Sequence, residues 1–289
     1  MTETVAVFGA NGVYGRHLVP RLLAAGFSVR AIVRRPEVAE ALRLAGTEIG
    51  VADIFDPEAL ERALKGCDSC VNLATSLPGP SGRGDFDTND RVRREGVPLL
   101  IEACARAGVG RLVQQSISWV GAAGETLADE SSVFEPPGDN VGSRAICTAQ
   151  DMERSVQGSG LDWLILRGGL FYGPGTGFDE DWLARAKAGT LRLPGDGADF
   201  VSLIHIADMA VATVLALANW PSRQTLIVAD DRPARWREVF AHVAAIAGGA
   251  QPEPGGRAGF PSFRMSNLRA KEVLGWAPAY PDYRAGLAR

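Results

Sequence analysis

Gly9, Gly12 and Gly15 recur at intervals of three in Val5-Ala6-Val7-Phe8-Gly9-Ala10-Asn11-Gly12-Val13-Tyr14-Gly15. An apolar strand runs into these glycines and a helical pattern leaves them. Gly9 permits a tight turn, Gly12 lets the backbone approach a pyrophosphate, and Gly15 lets the helix pack closely. The helix start offers unpaired N–H groups and a positive dipole end to phosphate oxygens. An ordinary strand-to-helix turn needs one such glycine, not three. The run therefore reads as a dinucleotide site, with Asn11, Val13 and Tyr14 part of the same cradle.

The next strand-like run ends Val33-Arg34-Arg35-Pro36. A site for NAD commonly carries Asp or Glu there, accepting from the ribose hydroxyls. A guanidinium instead pairs with a 2′-phosphate and stacks on adenine. The expected cofactor is NADP(H), held first by Arg34, then by Arg35, with Asn11 also able to face the 2′-phosphate. Cys67-Asp68-Ser69-Cys70 has the spacing of half a redox or zinc site. It lacks a second pair and enters an apolar run, so these cysteines read as small strand residues in a reducing compartment, with no metal.

The elements that must position these groups alternate. Strand-like runs are 5–8, 28–33, 48–51, 69–73, 111–114 and 162–166. Helical patterns fall at 15–25, 36–45, 57–64, 99–107 and 148–157. This order predicts an α/β fold, a Rossmann doubly wound parallel sheet that binds ligands at the strands' carboxyl ends. After Arg167 the rhythm breaks into Gly/Pro-rich loops and short elements, ending in a helix over 267–274. Residues 1–169, joined by 203–230, are expected to form the dinucleotide-binding domain. Residues 170–202 and 231–289 are expected to form a smaller C-terminal substrate-binding lobe.

With 289 residues, a net charge of −4 and 46% hydrophobic residues, the chain can bury a large core and lacks the basic surface that coats nucleic acid. No apolar run reaches the roughly 18–20 residues of a membrane span. The first residues enter a strand without a basic leader, so a cytoplasmic protein is expected.

Several segments together resemble the extended or atypical branch of the short-chain dehydrogenase/reductase family, nearly end to end. Ala52-Asp53-Ile54-Phe55-Asp56 is similar to the turn whose aspartate bonds adenine, which implies a cofactor role for Asp53 and Ile54. Asn72-Leu73-Ala74-Thr75 is similar to the strand that passes along the cofactor. Arg167-Gly168-Gly169-Leu170-Phe171-Tyr172-Gly173-Pro174-Gly175 is similar to the segment whose backbone holds the nicotinamide amide, which implicates Gly169, Leu170 and Phe171. Ile204-His205-Ile206-Ala207-Asp208 and Leu274-Gly275-Trp276-Ala277-Pro278 match signatures of the extended branch.

The resemblance implies a catalytic serine five residues before a glycine. Gln115-Ser116-Ile117-Ser118-Trp119-Val120-Gly121 supplies Ser116, with Ser118 two residues on. The family then needs Tyr-x-x-x-Lys on the following helix, where tyrosine donates the proton and lysine lowers its pKa. The chain has four tyrosines (14, 172, 280 and 283) and three lysines (65, 187 and 271), and none forms this pair. Counting back from Glu153 puts Ala145 and Ala149 at the two positions, and a shift of one puts Ile146 and Gln150 there. Arg93 also stands where the family has asparagine.

Losing a positioned general acid costs about 10²–10⁴-fold in rate. A ketone beside a phenol carries its own proton donor at high effective concentration. In this respect the chain resembles atypical ketoreductases of simocyclinone-type angucyclinone biosynthesis. The resemblance implies NADPH-dependent reduction of a ketone on a polycyclic aromatic polyketide, an activity of antibiotic biosynthesis. Trp119, Phe171, Trp182 and His205 are candidate substrate-binding residues beside Ser116 and Ser118. A catalytically silent NADP-binding sensor and a sugar-nucleotide epimerase or reductase with a relocated acid stay open, as does the choice between monomer and homodimer.

Overall fold

The computed structural model describes residues 2–77, 84–138 and 140–287. Met1, Ala288 and Arg289, the outer limits of the two expected units, lie outside them. In chain order, β1 (Thr4–Phe8) leads to α1 (Val13–Ala24), β2 (Ser28–Val33) to α2 (Glu40–Leu44), and β3 (Glu48–Val51) to α3 (Pro57–Leu64). After β4 (Ser69–Asn72) comes a long helix in three parts: α4 (Phe86–Arg91), a π-helical turn over Val92–Gly96, and α5 (Val97–Ala107). Next come β5 (Arg111–Ile117), the short β6 (Leu127–Ala128), α6 (Val141–Gln157) and β7 (Asp162–Gly168). The remainder is β8 (Leu170–Tyr172), α7 (Phe178–Lys187), β9 (Arg192–Pro194), β10 (Phe200–Val201), β11 (Leu203–His205), α8 (Ile206–Asn219), β12 (Gln224–Val228), β13 (Ala234–Arg235), α9 (Trp236–Ala247), β14 (Glu253–Gly256), β15 (Arg264–Met265), α10 (Leu268–Leu274) and α11 (Tyr283–Leu287).

Seven strands form one parallel sheet in the order β12-β7-β5-β4-β1-β2-β3. This is the α/β Rossmann architecture expected from the alternation. The chain winds outward from β1 through β2 and β3, then crosses back to place β4 on the other side of β1. That reversal opens a crevice at the carboxyl ends of β1 and β4, where such sheets take their ligands.

Both faces of the sheet are covered, which explains the unbroken apolar run Val5–Phe8: all four residues are buried. One face packs with α1, α8 and α10 around Leu18, Leu22, Met209 and Leu274. The other packs with α3, α5 and the end of α6 around Leu60, Leu64, Leu100 and Val156. Cys67, Cys70 and Cys104 are small residues of this second core. A third apolar cluster joins β8 and α7 to α9, with Trp119, Trp182, Trp236 and Phe240 at its centre. Among the described residues, no helix is long and apolar enough to cross a membrane.

Several elements run longer than the sequence pattern predicts. Helix α6 starts at Val141 rather than 148, because Asn140 caps it by accepting from Ser143 N at 3.0 Å. β5 and β7 extend to Ile117 and Gly168 because their polar side chains find partners inside. Gln114 Oε1 accepts from Asn72 Nδ2 at 2.9 Å, and Arg167 pairs with Glu153. The helical pattern at 36–45 divides, a 3-10 turn over Pro36–Ala39 preceding α2.

Candidate functional site

The glycine turn forms a cradle at the β1–β4 crevice. Gly9 has φ +76°, which L side chains rarely adopt, and a Cβ there would lie 3.0 Å from the Leu73 carbonyl group. A Cβ on Gly15 would come within 2.3 Å of Ala10 O, so this glycine seats α1 on the turn itself. Gly12 faces outward, and a Cβ there would meet the Gly9 carbonyl oxygen at 3.1 Å and otherwise fill the cradle. Helix α1 has no acidic residue in its first turn, and no side chain caps it. Its first N–H groups and positive dipole end are left to an anion. These features fit the pyrophosphate of a dinucleotide.

Beyond β2, Arg34 and Arg35 are exposed, and neither pairs with a carboxylate among the described residues. Asn11 is half-buried and its backbone oxygen accepts from Arg16 Nε at 3.1 Å. Asp53 is exposed after β3, where one carboxylate oxygen accepts from Phe55 N at 3.0 Å. Ile54 is buried against Gly96. Val13 is exposed, whereas Tyr14 turns inward: its ring meets Phe171 edge-on at 5.4 Å, and its hydroxyl bonds Thr213 on α8. The backbone of Tyr14, not its ring, belongs to the cradle.

Past the end of β4, Leu73 N donates to Phe8 O, and Ala74 N donates to Asn72 Oδ1. Thr75 Oγ1 bonds Asn89 Oδ1 at 2.7 Å, and Ser76 N donates to the same oxygen at 3.1 Å. Asn89 is fully buried on α4, and its Nδ2 has no partner among the described residues.

The two serines separate sharply. Ser116 lies inside β5, paired in register with Arg167, and donates to Glu153 Oε1 at 2.6 Å. Glu153 is 3% exposed and holds Arg167 through three contacts, the shortest being 2.7 Å. The Ser116 hydroxyl is thus committed to a buried ion pair. Ser118 lies just past the carboxyl end of β5, fully buried, and its Oγ has no partner among the described residues. An orphaned buried hydroxyl costs about 1–3 kcal/mol, which a ligand's polar atom can recover.

Helix α6 passes beside these serines without a phenol or an amine. Ala145 and Ala149 are both buried. In the alternative register Ile146 is buried, and Gln150 Nε2 donates to Phe134 O at 2.7 Å and Val120 O at 3.3 Å, holding the loop after β5. Arg93 packs against α6 at Ala145 and Thr148. It leaves the π-helical turn and is 6% exposed, with Nη1 donating to Ala145 O at 2.6 Å and lying 3.4 Å from Thr148 Oγ1. Thr148 in turn donates to Asp90 Oδ1 at 2.9 Å. Burial lowers the Arg93 pKa to about 10, against the pull of Asp90 and Glu153, so the group stays cationic at neutral pH.

The expected substrate residues lie mostly in packing. Trp119 is sandwiched by Phe260 and Phe263 at 5.3 and 5.5 Å. Trp182 meets Phe178, Trp236 and Phe240 in the third core. His205 Nδ1 accepts from Ala207 N to cap α8, and its ring lies on Tyr280 at 3.8 Å. Desolvation first lowers its pKa, with Asp208 and Asp179 opposing. Gly169 and Leu170 spend their N–H groups on Val228 O and Ser202 O, both at 2.9 Å. Phe171 is half-buried between Gly168 and Tyr14.

Residues 9–215 match the model of a family described as NAD(P)H-binding. The chain belongs to this NAD(P)H-binding family. It is similar to the 3-diazoavenalumate denitrifying reductase of a Streptomyces species, 35% identical over 99% of each chain. It is also similar to the 4-hydroxy-2-methyl-3-oxo-4-farnesyl-3,4-dihydroquinoline-1-oxide ketoreductase of Stigmatella aurantiaca, 26% identical over 98% of this chain and 84% of the relative. Among solved structures, the UDP-glucose 4-epimerase of Thermus thermophilus in complex with NAD superposes with a TM-score of 0.79, at 25% identity over 98% of this chain and 96% of that one. The chain is an oxidoreductase of the extended short-chain dehydrogenase/reductase type.

The sequence pattern did not single out Asn89 and Thr148, which the structure places on Thr75 and on Arg93 and Asp90. Asn89 and Arg93 stand four apart, one turn of helix, and both are buried polar residues. That spacing was the available signal, though the π-helical turn that holds Arg93 has no sequence mark.

Proposed function

We propose that the chain is an NADPH-dependent reductase whose acceptor brings its own proton or needs none. The observation that carries this reading is α6: neither Ala145 and Ala149 nor, in the alternative register, Ile146 and Gln150 bring a phenol or an amine, while the buried Ser118 keeps a hydroxyl without a partner among the described residues. NADPH rather than NADH is favoured by Arg34 and Arg35, two unpaired guanidiniums after β2 that suit a 2′-phosphate. Asn11, Gly12 and the backbone of Val13, Tyr14 and Gly15 hold the pyrophosphate, and Asp53 faces the adenine end. When bound, the reduced cofactor supplies a hydride.

The acceptor of first choice is a ketone on a polycyclic aromatic polyketide, flanked by a phenol. Ser118 donates to the carbonyl oxygen, orienting and polarising it. The neighbouring phenol passes its proton to that oxygen as the carbon is reduced, and water then reprotonates the phenolate. A second reading follows from the relative that is 35% identical. An aromatic diazonium carbon that gains a hydride loses dinitrogen, the charge balances, and no proton is called for. Neither acceptor calls on a tyrosine: the ketone brings its own proton and the diazonium needs none.

NADPH oxidation across a small panel tests this. A phenol-flanked polycyclic ketone is expected to be reduced and its methyl ether to be refractory. Dinitrogen release from an aromatic diazo compound, with no turnover of the ketone, would select the second reading. NADPH binding without oxidation by any member of the panel would leave a silent binder.

A further inference from the structure

We infer that Arg93 supplies, from the opposite helix, the positive charge that α6 lacks. It is a positioning residue of the hydride-transfer site, and this assignment rests on the reductase reading above.

Four observations converge. First, the guanidinium lies against positions 145 and 148 of α6, bonding the carbonyl of Ala145, one of the two positions at which the family's tyrosine falls. A lysine on this stretch of α6 would repel it. Second, Arg93 sits in a π-helical turn, Val92–Gly96. Such turns cost helical hydrogen bonding and cluster at functional sites. Third, one turn earlier on the same helix, Asn89 anchors Thr75 and Ser76 at the end of β4 and keeps a buried Nδ2 without a partner among the described residues. The face that carries Arg93 thus joins the cofactor edge of the sheet to α6. Fourth, Arg93 lacks a direct carboxylate ion pair among the described residues. Asp90 is reached through Thr148, and Glu153 is bonded to Arg167. A buried cation left without direct neutralisation is costly, and it stabilises negative charge brought near it.

The site therefore carries a fixed cation beside a helix without a proton-donating phenol. It favours a phosphate-bearing cofactor and the anionic character that grows on a carbonyl oxygen during reduction. It does not donate a proton, in keeping with an acceptor that supplies its own.

The test compares Arg93→Lys, Arg93→Gln and Arg93→Gln/Ala149→Lys, each with its Tm, its NADPH Kd by fluorescence titration, and kcat on the ketone. Glutamine keeps a donor for Ala145 O but loses the charge. The expected result is a loss of about 10- to 100-fold in kcat and a clear rise in NADPH Kd for Arg93→Gln at near-native Tm. Arg93→Lys keeps most of both, and Ala149→Lys restores both in the glutamine background. Wild-type Kd and kcat in Arg93→Gln overturn the inference, as does an equal loss in the lysine and glutamine variants. If Arg93→Gln does not fold, the double variant decides: native binding supports the inference, and an unfolded or non-binding protein overturns it. The Kd arm stands without turnover, so a wild type that binds NADPH but reduces nothing counts against the reductase reading and not against Arg93.

Discussion

The Ser116 hydroxyl donates to Glu153 Oε1 at 2.6 Å, and Glu153 in turn grips Arg167 at 2.7 Å. This ties the inside of β5 to α6 and β7, so the serine nearest the family's catalytic position serves a buried ion pair. Two residues on, Ser118 is equally buried and its hydroxyl has no partner among the described residues. Two nearby serines thus stand in different settings: one holds the sheet to a helix, the other keeps an unspent hydroxyl.

Ser118→Ala is expected to lower kcat about 10- to 100-fold with little change in Tm, since it removes a donor that has no protein partner. Ser116→Ala is expected to act the other way. It strips one bond from a buried carboxylate and costs about 1–3 kcal/mol of stability, with kcat within a few-fold of native. Thermal melts and initial rates on both variants decide it. The reverse pattern would return the catalytic role to Ser116.

Breaking the pair beneath Ser116 carries a larger penalty. Glu153→Gln or Arg167→Met leaves one charge buried and unpaired, at a cost of about 3–5 kcal/mol. The double variant Glu153→Gln/Arg167→Met is expected to recover part of that loss. Chemical denaturation of the four proteins measures the coupling, and strictly additive losses would show that the two side chains do not depend on each other.

Cofactor choice is expected to reside in Arg34. Arg34→Ala removes a charge-assisted contact to the 2′-phosphate, so NADPH Kd rises about tenfold or more while NADH binding is unchanged. Fluorescence titration with both cofactors reads this. Native NADPH affinity in the variant would assign the 2′-phosphate to another group, Arg35 first.

Asp230 is expected to give the molecule a pH dependence. It is 3% exposed just past β12, its Oδ1 accepts from His205 N at 3.3 Å, and its Oδ2 has no partner among the described residues. Desolvation, more than any neighbour, holds its carboxyl well above the ordinary range. Below an unfolded value of about 3.9, both states are protonated and the aspartate brings no penalty. As pH rises past that value, the unfolded chain ionises while the folded one keeps its proton, so stability falls until the folded pKa is passed. Asp230→Asn cannot ionise and is expected to gain on the wild type between about pH 4 and pH 7. Denaturation midpoints at both pH values check the slope, and parallel curves would remove Asp230 as its source.

Local chemistry was legible in the chain itself. The glycine turn depends on backbone sterics at Gly9 and Gly15, and such constraints are written residue by residue. The alternation of buried strands and amphipathic helices follows from side-chain periodicity, and β2, β3 and α3 fall on their predicted limits. The missing Tyr-x-x-x-Lys is likewise a matter of composition, because four tyrosines and three lysines can be checked one by one. The longer reach of β5 and α6 was hidden, since polar residues there resemble strand and helix ends until their partners are known.

The sequence by itself thus determined the parallel sheet, the dinucleotide turn and the absence of a tyrosine acid. Tertiary structure alone decided the rest. Whether a serine is free depends on a carboxylate 37 positions away in the chain. Whether Trp182 and His205 face a ligand or a core depends on Trp236, Phe240 and Tyr280, which arrive from distant elements. Whether a surface-looking arginine is buried against α6 depends on a π-helical turn and on the Ala145 carbonyl and Thr148 hydroxyl that meet it across the interface. The physical reason is common to all three. Local conformation is set by neighbours in sequence, whereas hydrogen-bond satisfaction and burial are set by which surfaces meet when the sheet and helices close.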